Sequence, residues 1–285
     1  MDRIYYWWDG LSNQVRDSII ITLALFGIIS TILTILGISL SDCKELSIWQ
    51  RMGSVFLVFL LTVFLTYIII GEIFKKFVKL TIRNTLVSVG CGDIFETSGF
   101  RVIGCDTHFD TRVDDIIISK KSLHGQLVLQ YGKKDEIEAV VIKEAKRLEL
   151  QKNNEGLYEF PLGTIIRYDS SIDNHTYLML AMNKLNAQHE AHTNMAQFEF
   201  MLMKMWKEID RVYAGHNVVL PILGTGISRF DDGYKYNEDL LRCMLCTLNS
   251  SAVTLKSNVQ ILIYGDAKDI PLYEYKNIFH TIPRR

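Results

Sequence analysis

Apolar residues are spread unevenly along this chain: they crowd into two uncharged runs near its start and only later settle into short alternating or periodic segments. From Ser18 to Ser41 no residue is charged, and these 24 positions rise about 36 Å as a helix. From Met52 to Gly71 a second uncharged run of 20 positions rises about 30 Å. Both match a hydrocarbon core of about 30 Å. We therefore expect a hairpin of two transmembrane helices over about 18–41 and 52–73, with residues 1–80 in the membrane part and 81–285 forming a domain on one side. The first run is too long for the apolar stretch of a signal peptide, and no small-residue cleavage site precedes Asp42. Tyr5, Tyr6, Trp7 and Trp8 before the first run and Trp49 before the second are placed for the headgroup level. Lys75, Lys76, Lys79 and Arg83 follow the second run, against Lys44 and Arg51 in the connection, which predicts cytoplasmic termini. Gly27, Ser30, Thr31, Thr34 and Gly37 offer small surfaces for helix contacts.

Beyond residue 80 the pattern changes to β-branched runs bounded by turn residues, interleaved with helical periodicity. Strands are expected at 86–89, 101–104, 115–119, 163–168, 176–182, 217–222 and 259–264, and helices at 136–150, 195–213 and 237–249. This order predicts an α/β domain, a mixed sheet sandwiched by helices, with ligands held in loops at the strand ends.

Charge changes the picture by exclusion. The 31 basic and 32 acidic residues leave no basic excess, which argues against nucleic acid as a partner. The five cysteines, Cys43, Cys91, Cys105, Cys243 and Cys246, are scattered and odd in number, as suits a reducing compartment. Cys243 and Cys246 fall inside an amphipathic helix and read as small core residues. His189-Glu190-Ala191-His192 is one residue short of a zinc-binding HExxH and reads as a solvated segment.

Three loops carry candidate chemistry. Gly90-Cys91-Gly92-Asp93-Ile94-Phe95 follows a strand; its glycines allow close backbone approach and its carboxylate can accept from a ligand N–H, or simply cap the next turn. Pro221 to Arg229, with Gly224-Thr225-Gly226-Ile227, follows an apolar strand ahead of a helix and leaves N–H groups open to a phosphate. It lacks the Gly-Lys-Ser/Thr of a P-loop. Ser122-Leu123-His124-Gly125-Gln126 forms a third polar turn on the same edge, in which His124 is either a ligand contact or a satisfied histidine in the protein interior.

Gly92-Asp93-Ile94 near the domain start, with Gly224-Thr225-Gly226 after a late strand, resembles macro domains. The order Gly92 to Phe95, then Val102 to Thr111, then Ser122 to Gln126, behind two spans, is more closely similar to the type II Thoeris effectors of bacterial anti-phage defence. The resemblance covers essentially the whole chain. It implies that Asp93, with the Ile94 backbone, binds the adenine amino group of an ADP-ribose derivative; that Gly224, Thr225, Gly226 and Ile227 wrap its diphosphate; and that Ser122, His124 and Gly125 complete the site. Tyr264 would stack on adenine or belong to the core. The resemblance further implies histidine-ADP-ribose made by a TIR-domain protein as the signal, a multi-pass inner-membrane location, self-assembly and membrane disruption, with no cofactor, metal or catalytic residue. Hydrolytic macro domains carry an Asn-rich, triple-glycine loop where this chain has Thr107-His108-Phe109 and Ser122 to Gln126. The alternatives are a tethered ADP-ribosyl hydrolase using His124 or Asp106 as an acid–base group, and an anchored interaction domain without a small ligand.

Overall fold

The computed structural model describes residues 11–36, 47–74, 77–186, 190–226, 229–265, 270 and 272–275. Tyr5 to Trp8, Gly37, Cys43, Lys44, Lys75, Lys76, His189 and Ile227 lie outside these described residues. The chain forms two compact units, Met1–Val78 with Pro271–Arg285, and Lys79–Ile270.

The first unit contains α1 (Asn13–Ile35) and α2 (Ile48–Phe74), both long and apolar enough to cross a membrane. α1 begins and ends earlier than the expected span, and Ser12 caps its start by accepting from Val15 N–H. Its first turns thus include Arg16 and Asp17, and the Asp17 carboxylate accepts from the Tyr273 hydroxyl of the short helix Leu272–Tyr275. The two long helices meet through polar groups. Gln14 Nε2 donates to Tyr67 O at 2.8 Å, Thr22 and Thr66 hydroxyls lie 3.3 Å apart, and Thr66 Oγ1 also reaches Ser18 O at 3.4 Å. Phe26 and Phe59 stack edge to face nearby. The expected small surface is elsewhere: Gly27 and Ser30 are exposed, and Thr31 and Thr34 donate only to carbonyls of their own helix.

The second unit is built on a mixed sheet of β1 (Phe77–Ile82), β2 (Thr85–Cys91), β3 (Phe100–Asp106), β4 (Ile165–Asp169), β5 (Thr176–Leu185), β6 (Ala191–Thr193), β7 (Val218–Pro221), β8 (Arg229–Phe230) and β9 (Val259–Ile263). Its order is β1-β2-β9-β7-β3-β5-β6-β8, with β4 antiparallel to β5. The five strands β2, β9, β7, β3 and β5 are mutually parallel, so their carboxyl ends share one edge. Val102, Ile103, Leu178, Met179 and Leu180 are all buried, as continuous apolar runs covered on both faces must be. Besides the short α3 (Leu123–Gln126), which continues as a π-helical turn over Leu127–Tyr131, the helices are α4 (Lys134–Arg147), α5 (Met195–Val212) and α6 (Asn237–Ser250). α4 buries Ile137, Val141 and Ala145, and α5 buries Phe198, Met201, Leu202, Met205, Trp206 and Ile209, stripes at helical spacing. Of the two cysteines on α6, Cys243 is in the core and Cys246 is exposed.

Besides Cys246, expected in the core beside Cys243 but exposed, two sequence expectations fail here. Residues 115–119 form no strand: Asp114 Oδ1 accepts from both Ile116 and Ile117 N–H, and Asp115 takes φ 64°, so side chains capture the backbone groups a ladder needs. The segment around His192 is strand β6, pinned by His192 to Asp231 at 2.6 Å and Glu190 at 3.3 Å.

Candidate functional site

At the carboxyl edge of the parallel strands lies a cavity of about 460 Å³, bounded by the turns after β2, β7 and β9, the ends of β3 and β5, and the segment leading into α3. Open parallel sheets hold ligands in this position, because the loops there diverge and leave a crevice. All three loops nominated by the sequence reach it. Asp93, Ile94, Ser122, His124, Gly224, Thr225, Gly226 and Tyr264 line one space.

The first turn is shaped by Asp93 itself. Its Oδ1 accepts from Phe95 N–H at 2.8 Å and its carbonyl from the Thr97 hydroxyl at 2.7 Å. Asp93 thus caps a turn, and it also stands at the cavity wall, with no donor to Oδ2 among the described residues. The β7 turn needs its glycine, since Gly224 has φ 86° and an added Cβ would lie 3.3 Å from the Phe230 ring. Thr225 Oγ1 donates to Ile222 O at 3.0 Å and holds the turn closed. The helix expected after this loop begins at Asn237, with β8 between the two. Any anion would be met by the turn's own N–H groups.

The third loop divides its roles. Ser122 caps α3: its hydroxyl donates to Ser119 O at 2.7 Å and accepts from Gly125 N–H at 3.0 Å. Gly125 does not line the cavity, and a Cβ there would come within 2.2 Å of Ser119 O, so it serves this close packing. His124 is buried at the cavity wall with Nδ1 3.8 Å from Asp106 Oδ2, and its Nε2 has no partner among the described residues. It is not the satisfied histidine of the bland reading. Tyr264 is 84% exposed, which rules out a core role.

Asp106 ends β3 where the register to β5 shifts between Cys105 and Asp106, a bulge that sets Asp106 opposite Asn183. Burial pushes its carboxyl up, but the His108 ring 3.6 Å away, the charge of His124 when protonated, and the N–H groups of His108 and Asp110 outweigh this and hold it below the ordinary carboxylate range. The same carboxylate raises His108. For His124 burial prevails over Asp106 and Asp110, and its imidazole titrates below the ordinary histidine range. The wall thus pairs an ionised carboxylate with a neutral imidazole near neutral pH.

Sequence reasoning missed Gly104, Asp106 as a wall residue, Ser119, Lys121, Met182 and Asn183, all of which line the cavity. Gly104, Asp106, Met182 and Asn183 share a position toward the carboxyl ends of β3 and β5, which depends on strand order, while Ser119 and Lys121 lie in the segment leading into α3. Lys121 is a cation of the lining, while its neighbour Lys120 is tied to Asp115 at 3.1 Å.

Residues 87–264, which include every one of these loops, match the family model described as "Thoeris protein ThsA, Macro domain". The Thoeris protein ThsA of Bacillus amyloliquefaciens (strain Y2) is 30% identical over 214 residues, 72% of this chain and 71% of its own. Among solved structures, an Oceanobacillus iheyensis macrodomain variant with ADPR aligns with a TM-score of 0.47 at 16% identity, covering 70% of this chain and 96% of its own. The Trypanosoma brucei macrodomain in complex with ADP-ribose aligns with a TM-score of 0.42 at 11% identity, covering 66% and 68%. With the family model matched over more than half its length and behind two helices of membrane-spanning character, the chain belongs to the ThsA macro-domain family of Thoeris proteins.

Proposed function

We propose that this chain is a membrane-anchored receptor of anti-phage defence whose sheet domain binds an ADP-ribose derivative and whose hairpin converts that binding into damage of the bacterial inner membrane. The observation that carries the reading is the convergence of the Asp93, Gly224 and His124 loops on one cavity of about 460 Å³, a size within the usual range for small-molecule sites of roughly 300–1,000 Å³. Asp93 Oδ2 accepts from the adenine amino group, the N–H groups of the Gly224–Gly226 turn meet the diphosphate, and the exposed Tyr264 ring stacks on the base. The signal is histidine-ADP-ribose released by a TIR-domain protein, and no cofactor takes part.

Binding, without turnover, is the role of the domain. The ligand drives a change only if it binds one state better than another, and assembly of several copies supplies such a state. The α1 face with Gly27, Ser30, Thr31 and Thr34 is left open by the contact between the two long helices, which supports close approach of hairpins from other copies. Both termini are cytoplasmic in this reading.

Titration calorimetry on the full chain in detergent tests it. ADP-ribose and its histidine conjugate should bind, and Asp93→Asn, which keeps the acceptor for Phe95 N–H, should weaken binding about ten- to a hundredfold, the worth of a charged hydrogen bond. A wild-type chain that binds neither compound would sink the proposal.

A further inference from the structure

Strand order gives the cavity a direction. Its loops come from β2, β9, β7, β3 and β5 in spatial sequence, with neighbouring strands about 4.8 Å apart. The Asp93 turn follows β2, the Gly224 turn stands two strands further, and Asp106 and Asn183 end the next two. A nucleoside diphosphate with its base at Asp93 and its diphosphate at Gly224 therefore carries whatever lies beyond the diphosphate to the ends of β3 and β5. This placement rests on the reading of the cavity given above.

That end of the cavity presents acceptors. Asp106 is a buried carboxylate already engaged by His108 and Asp110 N–H. His124 sets Nδ1 toward Asp106 at 3.8 Å. The carboxylate favours the tautomer with hydrogen on Nδ1, which leaves the Nε2 lone pair as an acceptor. Thr107 Oγ1 and His124 Nε2 are the two buried side-chain atoms without a hydrogen-bond partner among the described residues, and only His124 belongs to the cavity wall. Buried polar atoms are seldom left unpaired, and one at a ligand site is completed by the ligand.

We propose that His124, backed by Asp106, is a specificity-determining residue: its Nε2 accepts a hydrogen bond from a hydroxyl or N–H on the group beyond the diphosphate, and the Asp106 carboxylate keeps a further phosphate out of that end. The chain thereby distinguishes a sugar-bearing nucleoside diphosphate from the bare diphosphate and from a terminally phosphorylated form. Discrimination of this kind is strong, because a ligand without the donor leaves the acceptor unpaired.

Calorimetry on the full chain in detergent with ADP, ADP-ribose and ADP-ribose 1″-phosphate tests the assignment. ADP-ribose should bind about tenfold or more tighter than ADP, in line with one buried hydrogen bond, and the 1″-phosphate should bind more weakly than ADP-ribose. His124→Leu should bring ADP-ribose to the affinity of ADP and leave ADP unchanged, while His124→Gln, which retains an acceptor, should recover part of the difference. Thermal melts establish that each variant is folded; were His124→Leu unfolded, the three-ligand series and His124→Gln would decide. Equal losses for ADP and ADP-ribose, or a 1″-phosphate that binds as tightly as ADP-ribose, would overturn the assignment. ADP binding with no gain for ADP-ribose removes this inference alone, whereas failure of ADP and ADP-ribose to bind removes the nucleotide reading with it.

Discussion

Ser18 and Thr22 are fully buried in the hairpin while Leu57 and Phe64 are 65% and 61% exposed; in the sheet domain Leu178 and Met179 are fully buried and Arg167 and Lys134 lie outside. Leucine has changed sides: it faces outward on the hairpin and inward in the sheet domain. In water, apolar surface is driven inward at about 25 cal/mol per Å², and polar groups stay out unless paired. In a bilayer the surroundings are as apolar as leucine, so burial of leucine gains little, and packing and hydrogen bonds between helices decide what faces inward. With the hairpin in a membrane, as proposed, one chain obeys two solvents, and the burial pattern of its two long apolar helices fits that reading.

The largest effect that separates the two regimes lies in the sheet domain. Trp206 on α5 is fully buried, and its Nε1 donates to Thr247 Oγ1 of α6 at 3.2 Å. Trp206→Ala should cost about 3–5 kcal/mol, read as a lower urea midpoint of the sheet domain's circular dichroism in the full chain. A loss under about 1 kcal/mol would mean that this core is not held by burial from water. The next effect belongs to the hairpin. Leu61, at the middle of α2, is 59% exposed; Leu61→Lys should cost about 2.5–3.5 kcal/mol of insertion and move the chain out of the alkali-resistant membrane fraction. Leu129, 52% exposed in the sheet domain, provides the contrast. Leu129→Lys should stay within about 0.5 kcal/mol, and equal behaviour of the two variants would erase the distinction.

How much of this was legible in the sequence depended on the range of the interactions. The apolar strands β3, β5, β7 and β9 stood out as β-branched runs, and α4, α5 and α6 as periodic stripes, because burial on a sheet repeats locally. β1 was lost in the flank of the second span, and β6 and β8, three and two residues long, are strands only because β5 offers an edge. The 115–119 segment has the composition of a strand, yet Asp114 takes the N–H groups of Ile116 and Ile117. At the site, Asp93 and Gly224 were found because tight turns demand their residue types. Asp106 was named only as an acid–base group of the hydrolase alternative and Asn183 not at all, since only the β3–β5 register and its bulge bring them together.

The smallest effect sharpens the comparison most, because it asks whether polar contacts hold the hairpin together. Thr66 Oγ1 lies 3.3 Å from Thr22 Oγ1 and 3.4 Å from Ser18 O, in addition to the bonds within its own helix to Thr62 O and Val63 O at 2.9 Å. Thr31 is the matched control, exposed and bonded only to Gly27 O at 2.8 Å. Valine keeps the shape of threonine and removes the hydroxyl. Thr66→Val should therefore weaken the helix pair by about 0.6 kcal/mol, with roughly 1.7 as the upper end, and Thr31→Val should do nothing measurable. The readout is helix separation in a detergent-to-dodecyl-sulfate titration, followed by energy transfer between dyes on the two helices. If Thr66→Val were as silent as Thr31→Val, the Thr22–Thr66 contact would be a passenger, and the Gln14–Tyr67 hydrogen bond, the Phe26–Phe59 contact and van der Waals packing would carry the pair instead.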